Sequence, residues 1–216
     1  MTNRRAVPES DTQRMNASSM NIPQYSYPEF LGKVIENTYT IAVAGTNGKT
    51  TTTSMIIELF EDQQKPFNAI VGAPLQKYNT NYISHDADTF IIEACEYKNS
   101  FHNYMFDVLV ITNITEDHLD FFDGLSDIQN SFVTLMDNAK EGAVVVCDTT
   151  QAELQPVIAQ ANEKDITVID YHSYIEGTVV SIPGEHNVSN AAATLAVTDY
   201  LNLDVSAGRK YLSQTF

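Results

Sequence analysis

Apolar positions along the chain fall into short runs rich in β-branched residues: YTIAVA (39–44), PFNAIV (66–71), TFIIEA (89–94), DVLVIT (107–112), GAVVVC (142–147) and ITVID (166–170). Each is of strand length and lacks a polar face, which predicts strands buried on both sides. Helical spacing lies between them, over 50–63, 126–138 (SDIQNSFVTLMDN) and 151–162 (QAELQPVIAQAN, interrupted by Pro156). Strands alternating with helices predict an α/β fold, a mostly parallel sheet flanked by helices. The alanine-rich stretch 184–203 reads as one more helix, and DVSAGRKYLSQTF as the start of another.

The beginning of the chain differs. It carries prolines at 8, 23 and 28 and no sustained periodicity, which predicts a linker. The chain therefore divides into a short lead, 1–35, and a domain, 36–216. Because the last helix breaks off in mid-pattern, both ends are expected to be cut from something longer.

Charge and cysteine content narrow the function. With 28 acidic against 12 basic residues, the net charge is −16, which opposes binding to a nucleic-acid backbone. An anionic ligand would need local cations and backbone amides. Cys95 and Cys147 both lie in apolar runs and read as reduced core residues. No stretch has membrane-spanning length and no signal-peptide core is present, so a cytoplasmic protein with no membrane or nucleic-acid partner is expected.

Four stretches carry chemistry. In TIAVAGTNGKTTTT, a strand runs through a glycine turn into a helix, the layout of a phosphate-binding loop. Gly45 and Gly48 let the backbone approach phosphate oxygens, and the helix start supplies free amides and positive dipole. Lys49 can reach terminal phosphates, and the Thr50 hydroxyl can ligate Mg²⁺. The pattern is the shorter G-x-x-G-K-T, since Val43 stands where the longer motif has its first glycine. The threonine run strengthens the ligand-binding reading, because a plain turn has no use for it.

In IIEACEYKNSF (91–101), Glu93 and Glu96 close a predicted strand, where open α/β sheets place their ligands. A carboxylate beside a phosphate loop suggests a Mg²⁺ ligand, while Glu96 is equally readable as a surface acid. In VITNITEDHLDFF (110–122), a strand runs into Asn113, Glu116, Asp117, His118 and Asp120, and His118 there suggests a second metal ligand. In GEHNVSN (184–190), Asn187 and Asn190 share a helix face, and a carboxamide can pair with an adenine edge, although asparagine at a helix start is more often a cap.

In this order and at these separations, GTNGKTTTT, EACEYKNSF, TNITEDHLD and GEHNVSNAAAT resemble the Mur ligases, most closely the branch that joins L-alanine to UDP-N-acetylmuramate. The likeness covers nearly the whole chain. Its opening, AVPESDTQRMNASSMNIPQYSYPEFLG, resembles the end of that family's UDP-binding N-terminal domain. The resemblance implies a central ATPase domain whose N- and C-terminal partner domains are missing, and a reaction through an acyl phosphate. It implies ATP and Mg²⁺ as cofactors, with the loop Gly45, Thr46, Asn47, Gly48, Lys49, Thr50 and Thr51 holding phosphate. Lys49, Glu93 and His118 become the catalytic set, with Thr50, Glu93 and His118 as metal ligands. Asn113, Asn187 and Asn190 would meet the nucleotide, and Tyr97, Lys98 and Ser100 the sugar nucleotide.

Asn47 stands where the alanine-adding branch usually has histidine. The lysine that later-step ligases carbamylate has no clear match here, which returns the balance to that branch. A ligase recycling a tripeptide onto the same sugar nucleotide, a folylpolyglutamate synthase-like ligase and a nucleotide-binding module without turnover remain open.

Overall fold

The computed structural model describes residues 2, 3, 7–75 and 77–216; Met1, Arg4, Arg5 and Ala6 of the lead, and Gln76, lie outside the described residues. A two-residue strand β1 (Thr2–Asn3) pairs in parallel with β2 (Tyr25–Ser26). Between them runs helix α1 (Thr12–Ser19), started by Asp11, whose carboxylate accepts the Gln13 and Arg14 backbone N–H groups. Helix α2 (Tyr27–Ile35) follows directly. Ser26 and Glu29 cap each other's backbone there, an arrangement contributing about 1 kcal/mol.

The lead is thus not the linker its composition predicted. Leu31 and Ile35 of α2 are buried in the main core, and α2 packs on the 3₁₀ segment Tyr97–Asn103. At the contact, a Cβ added to Gly32 would stand 2.2 Å from the Asn103 carbonyl oxygen, so the two backbones touch with no side chain between them.

The sheet is built from β3 (Tyr39–Ala44), β4 (Asn68–Leu75), β5 (Thr80–Ile83), β6 (Thr89–Glu93), β7 (Phe106–Ile111), β8 (Ala139–Cys147) and β9 (Thr167–Asp170). Their spatial order is β5-β4-β6-β3-β7-β8-β9, parallel throughout except for the antiparallel β4–β5 pair. The six predicted strands are all present. The edge strand β5 was not expected, because its residues are mostly half-exposed or exposed and carry no apolar face.

Helices α3 (Lys49–Asp62), α4 (Leu125–Leu135), α5 (Gln155–Glu163), α6 (Glu185–Tyr200) and α7 (Val205–Thr215) complete the chain. Alternation along the strands sends Ala42, Ile92, Leu109 and Val145 to one face, beneath α2, α4 and α5. Ile41, Val43, Val108 and Val110 go to the other, beneath α3 and α6. Each of the valine, leucine and isoleucine side chains among them, buried completely, contributes about 1.5–3 kcal/mol. Pro156 sits in the first turn of α5 and so leaves the helix intact.

The threonine run of α3 needs a correction. Thr52 and Thr53 are fully buried and belong to the helix core, and the Thr53 hydroxyl donates to the Lys49 carbonyl at 2.8 Å. Only the beginning of the run faces the site. Among the described residues, no helix is long and apolar enough to cross a membrane.

Candidate active site

β3 sits mid-sheet, between β6 and β7, with its C-terminal end level with theirs: Val43 is opposite Glu93, and Ala44 opposite Ile111. From β3 the chain first crosses towards β4 on one side and later reaches β7 on the other. That reversal opens a crevice beyond the strand ends, where α/β sheets bind ligands.

The loop after β3 turns through Gly45, and Gly48 caps α3 in a left-handed conformation (φ 85°) open to glycine at little cost. Asn190 of α6 lies against it: a Cβ on Gly48 would stand 2.4 Å from the Asn190 Oδ1. The loop is also laced to the residues after β7. The Thr46 hydroxyl donates to the Thr115 carbonyl and accepts the Thr115 N–H. Asn47 donates its N–H to the Asn113 Oδ1 (3.1 Å), while the Asn113 Nδ2 donates to the Asn47 carbonyl (2.9 Å).

Lys49 turns back over its own loop. Its Nζ donates to the carbonyls of Gly45 (2.6 Å) and Thr46 (3.1 Å) and to the Glu96 Oε1 (3.1 Å). The Thr50 hydroxyl donates to the Glu93 Oε2 at 2.9 Å, and the Gly72 N–H donates to the same oxygen at 2.9 Å. Thr51, one residue on, is half-buried in the first turn of α3. Glu96, readable from sequence as a surface acid, is buried. Gly72 was missed altogether, because its role is a backbone amide that leaves no mark in sequence.

His118, in the left-handed region (φ 51°), projects from the loop after β7. Its Nε2 lies 3.8 Å from the Glu96 Oε1 and its Nδ1 3.9 Å from the Asp117 Oδ1. The carboxylate that approaches it from the β6 side is therefore Glu96, whereas Glu93 meets Thr50. Its ring lies 4.6 Å from that of Tyr97, and the Tyr97 hydroxyl donates to the Asp120 Oδ2 at 2.6 Å. That hydrogen bond holds the Asp120 carboxyl below its ordinary range. Lys98 lies with its Nζ 5.1 Å from the Tyr97 ring centre, and the Ser100 hydroxyl donates to the Tyr97 carbonyl. Lys98 and Asn99 are both left-handed, with φ near 54° and 55°. Cys95, between the two glutamates, has its thiol pushed up by burial and is no ready nucleophile.

A cavity of about 500 Å³ opens beside Gly48 and is lined by Asn47, Asn113, Gln151, Tyr171, His186 and Asn190 among others. Asn187 does not line it. The Asn187 Nδ2 donates to the Pro183 carbonyl (2.8 Å), and its Oδ1 accepts from the Asn190 Nδ2 (3.4 Å), so it braces Asn190 from behind. Gln151 and Tyr171 were missed in the sequence; both donate to the Thr112 carbonyl, Tyr171 at 2.7 Å.

The donor set suits a nucleotide with Mg²⁺. Among the described residues, no three His, Cys, Asp or Glu side chains converge on one point. Mg²⁺ fits such a site, because it takes one or two protein oxygens and completes its shell with water and substrate phosphates.

Strand order, the glycine turn into α3 and the carboxylates at the strand ends define a mostly parallel α/β domain, and comparison with known proteins gives its family. Residues 43–177 match the family model described as the Mur ligase middle domain. The chain belongs to the Mur ligase family. It is similar to the UDP-N-acetylmuramate–L-alanine ligase of Agathobacter rectalis, at 35% identity over 225 positions that cover 92% of this chain and 49% of the relative. The chain thus spans about half the length of the curated relatives it matches.

Two solved structures share the fold. The UDP-N-acetylmuramate:L-alanyl-gamma-D-glutamyl-meso-diaminopimelate ligase of Neisseria meningitides superposes with a TM-score of 0.83 at 21% identity, over 98% of this chain and 78% of that one. The UDP-N-acetylmuramate-alanine ligase of Thermotoga maritima gives 0.77 at 21% identity, over 99% and 54%.

Proposed function

We propose that this chain is the ATP-binding part of a cytoplasmic ligase that joins L-alanine to UDP-N-acetylmuramate in peptidoglycan precursor synthesis. The observation that supports this most is the meeting of Lys49 and Thr50 with Glu96 and Glu93 at the ends of two adjacent parallel strands. One cationic and one hydroxyl group at a helix start, each facing a carboxylate, suit a magnesium-bound polyphosphate.

A carboxylate is a poor electrophile at neutral pH. Transfer of the ATP γ-phosphoryl group to the lactyl carboxylate gives an acyl phosphate, which the alanine amine attacks with loss of phosphate. The protein's share is positioning and neutralisation of charge. Lys49 neutralises the transferring group. Thr50 and Glu93 would hold one magnesium ion, and His118, from the loop after β7, would serve a second. Bound magnesium supplies charge neutralisation across the phosphate oxygens. Asn190 meets the adenine edge in the cavity beside Gly48, with Asn187 as its brace and Asn113 on the wall. Tyr97, Lys98 and Ser100 face the sugar nucleotide. The alanine site and the remaining UDP-N-acetylmuramate contacts are assigned to the part of the relatives that this chain does not match.

Calorimetric titration of Mg-ATP into the chain and its Lys49→Ala variant tests the reading. Saturable binding that the variant loses supports it, and equal binding by both proteins rejects it.

A further inference from the structure

Glu96 is a buried carboxylate of the crevice to which the proposed chemistry gives no task. Its side chain is 2% exposed, and both of its oxygens lie 3.1 Å from the Lys49 Nζ. Only Oε1 accepts a hydrogen bond; Oε2 is buried without a hydrogen-bond partner.

The lysine is saturated. An ammonium has three donors, and those of Lys49 go to the Gly45 carbonyl, the Thr46 carbonyl and Glu96. A phosphate can be gripped only when one of these is given up. The two carbonyls are fixed by the turn, whereas Glu96 is a side chain with a second polar partner in reach, the His118 ring, whose Nε2 lies 3.8 Å from the Glu96 Oε1.

We propose that Glu96 is a positioning residue, an internal counter-ion that occupies Lys49 until phosphate arrives and then yields it, turning towards His118. The inference rests on the reading that Lys49 receives the phosphates of ATP. Phosphate and carboxylate compete for one ammonium, so Glu96 holds nucleotide affinity down and ties occupation of the phosphate loop to the loop that carries His118.

Calorimetry with Mg-ATP, inorganic pyrophosphate and adenosine on the wild-type chain, Glu96→Gln and Glu96→Asp tests this. Removing the competing charge should tighten Mg-ATP and pyrophosphate binding to Glu96→Gln by about tenfold, since like charges in contact oppose binding. Glu96→Asp, reaching less far towards Lys49, should gain less, and adenosine should bind all three proteins alike. Pyrophosphate binding to Glu96→Gln that is no tighter than to a binding-competent wild type overturns the counter-ion role and leaves the ATP reading standing. An equal gain for adenosine also overturns it, because the variant would then have reshaped the whole site. Mg-ATP binding to none of the three proteins sinks the ATP reading and this inference with it. If circular dichroism shows Glu96→Gln unfolded, Glu96→Asp decides by the same pyrophosphate criterion.

Discussion

Asn47 and Asn113 hold each other by a reciprocal pair of hydrogen bonds, the backbone of one against the carboxamide of the other. The glycine loop after β3 is thereby tied to the residues after β7. Asn113→Ala removes both bonds and should weaken Mg-ATP binding several-fold while costing about 1–2 kcal/mol of stability. Calorimetry and urea unfolding measure the two effects. Unchanged affinity would mean that the loop holds its shape without this clasp.

Gly48→Ala combines a left-handed backbone with a Cβ placed 2.4 Å from the Asn190 Oδ1. We expect Mg-ATP binding to fall by more than about tenfold and stability by about 1–2 kcal/mol, the cost of a strained residue. The double variant Gly48→Ala, Asn190→Ala relieves the clash but not the strain, so its melting temperature should recover only in part. Full recovery would show that packing alone requires the glycine.

Glu93→Gln keeps the shape of the side chain and removes its charge. The Gly72 N–H and the Thr50 hydroxyl both point at one of its oxygens, so the fold should tolerate the change. Mn²⁺ electron paramagnetic resonance in the presence of ATP should show metal affinity reduced about tenfold or more, one charged ligand having been lost. Equal Mn²⁺ affinity would place the cation elsewhere.

Burial at the end of β8 pushes the Cys147 thiol from 9.0 up to about 12. In the unfolded chain the thiol ionises first, so between these values the folded state binds more protons. Stability from this group is complete below about pH 9 and declines as pH rises through the window. Several tyrosines, including buried Tyr171 and half-buried Tyr174, are also shifted upward and act in the same sense. Cys147→Ala should therefore show a shallower alkaline loss in urea unfolding between about pH 9 and 11. An identical slope would mean that the thiol ionises freely in the fold.

The sheet was legible because its strands are buried on both faces, and a run such as YTIAVA admits no amphipathic reading; β3 has those bounds. Helix α1 was hidden because it buries only Ala17 and presents no apolar stripe. Helix α2 did carry a local signal, Ser26 with Glu29 three residues on, masked by Pro23 and Pro28. At the site, the sequence singled out the glycine loop, Glu93, His118 and Asn190, and the structure brings them close together at the strand ends. The burial of Glu96 could not be read, since a glutamate after a strand looks the same in sequence whether it faces water or a lysine. Gln151 and Tyr171 reach the cavity from elements about 40 and 60 residues beyond Thr112, whose carbonyl each contacts. Such distances carry no local pattern.

The contact between Gly32 and Asn103 has a consequence for how the chain can change over generations. Any other residue at position 32 drives α2 away from the segment bearing Tyr97, Lys98 and Ser100. A codon in a stretch whose composition predicts a linker is thus answerable to the same selection as the glycine loop, and inherited variation should be as restricted there as at Gly48.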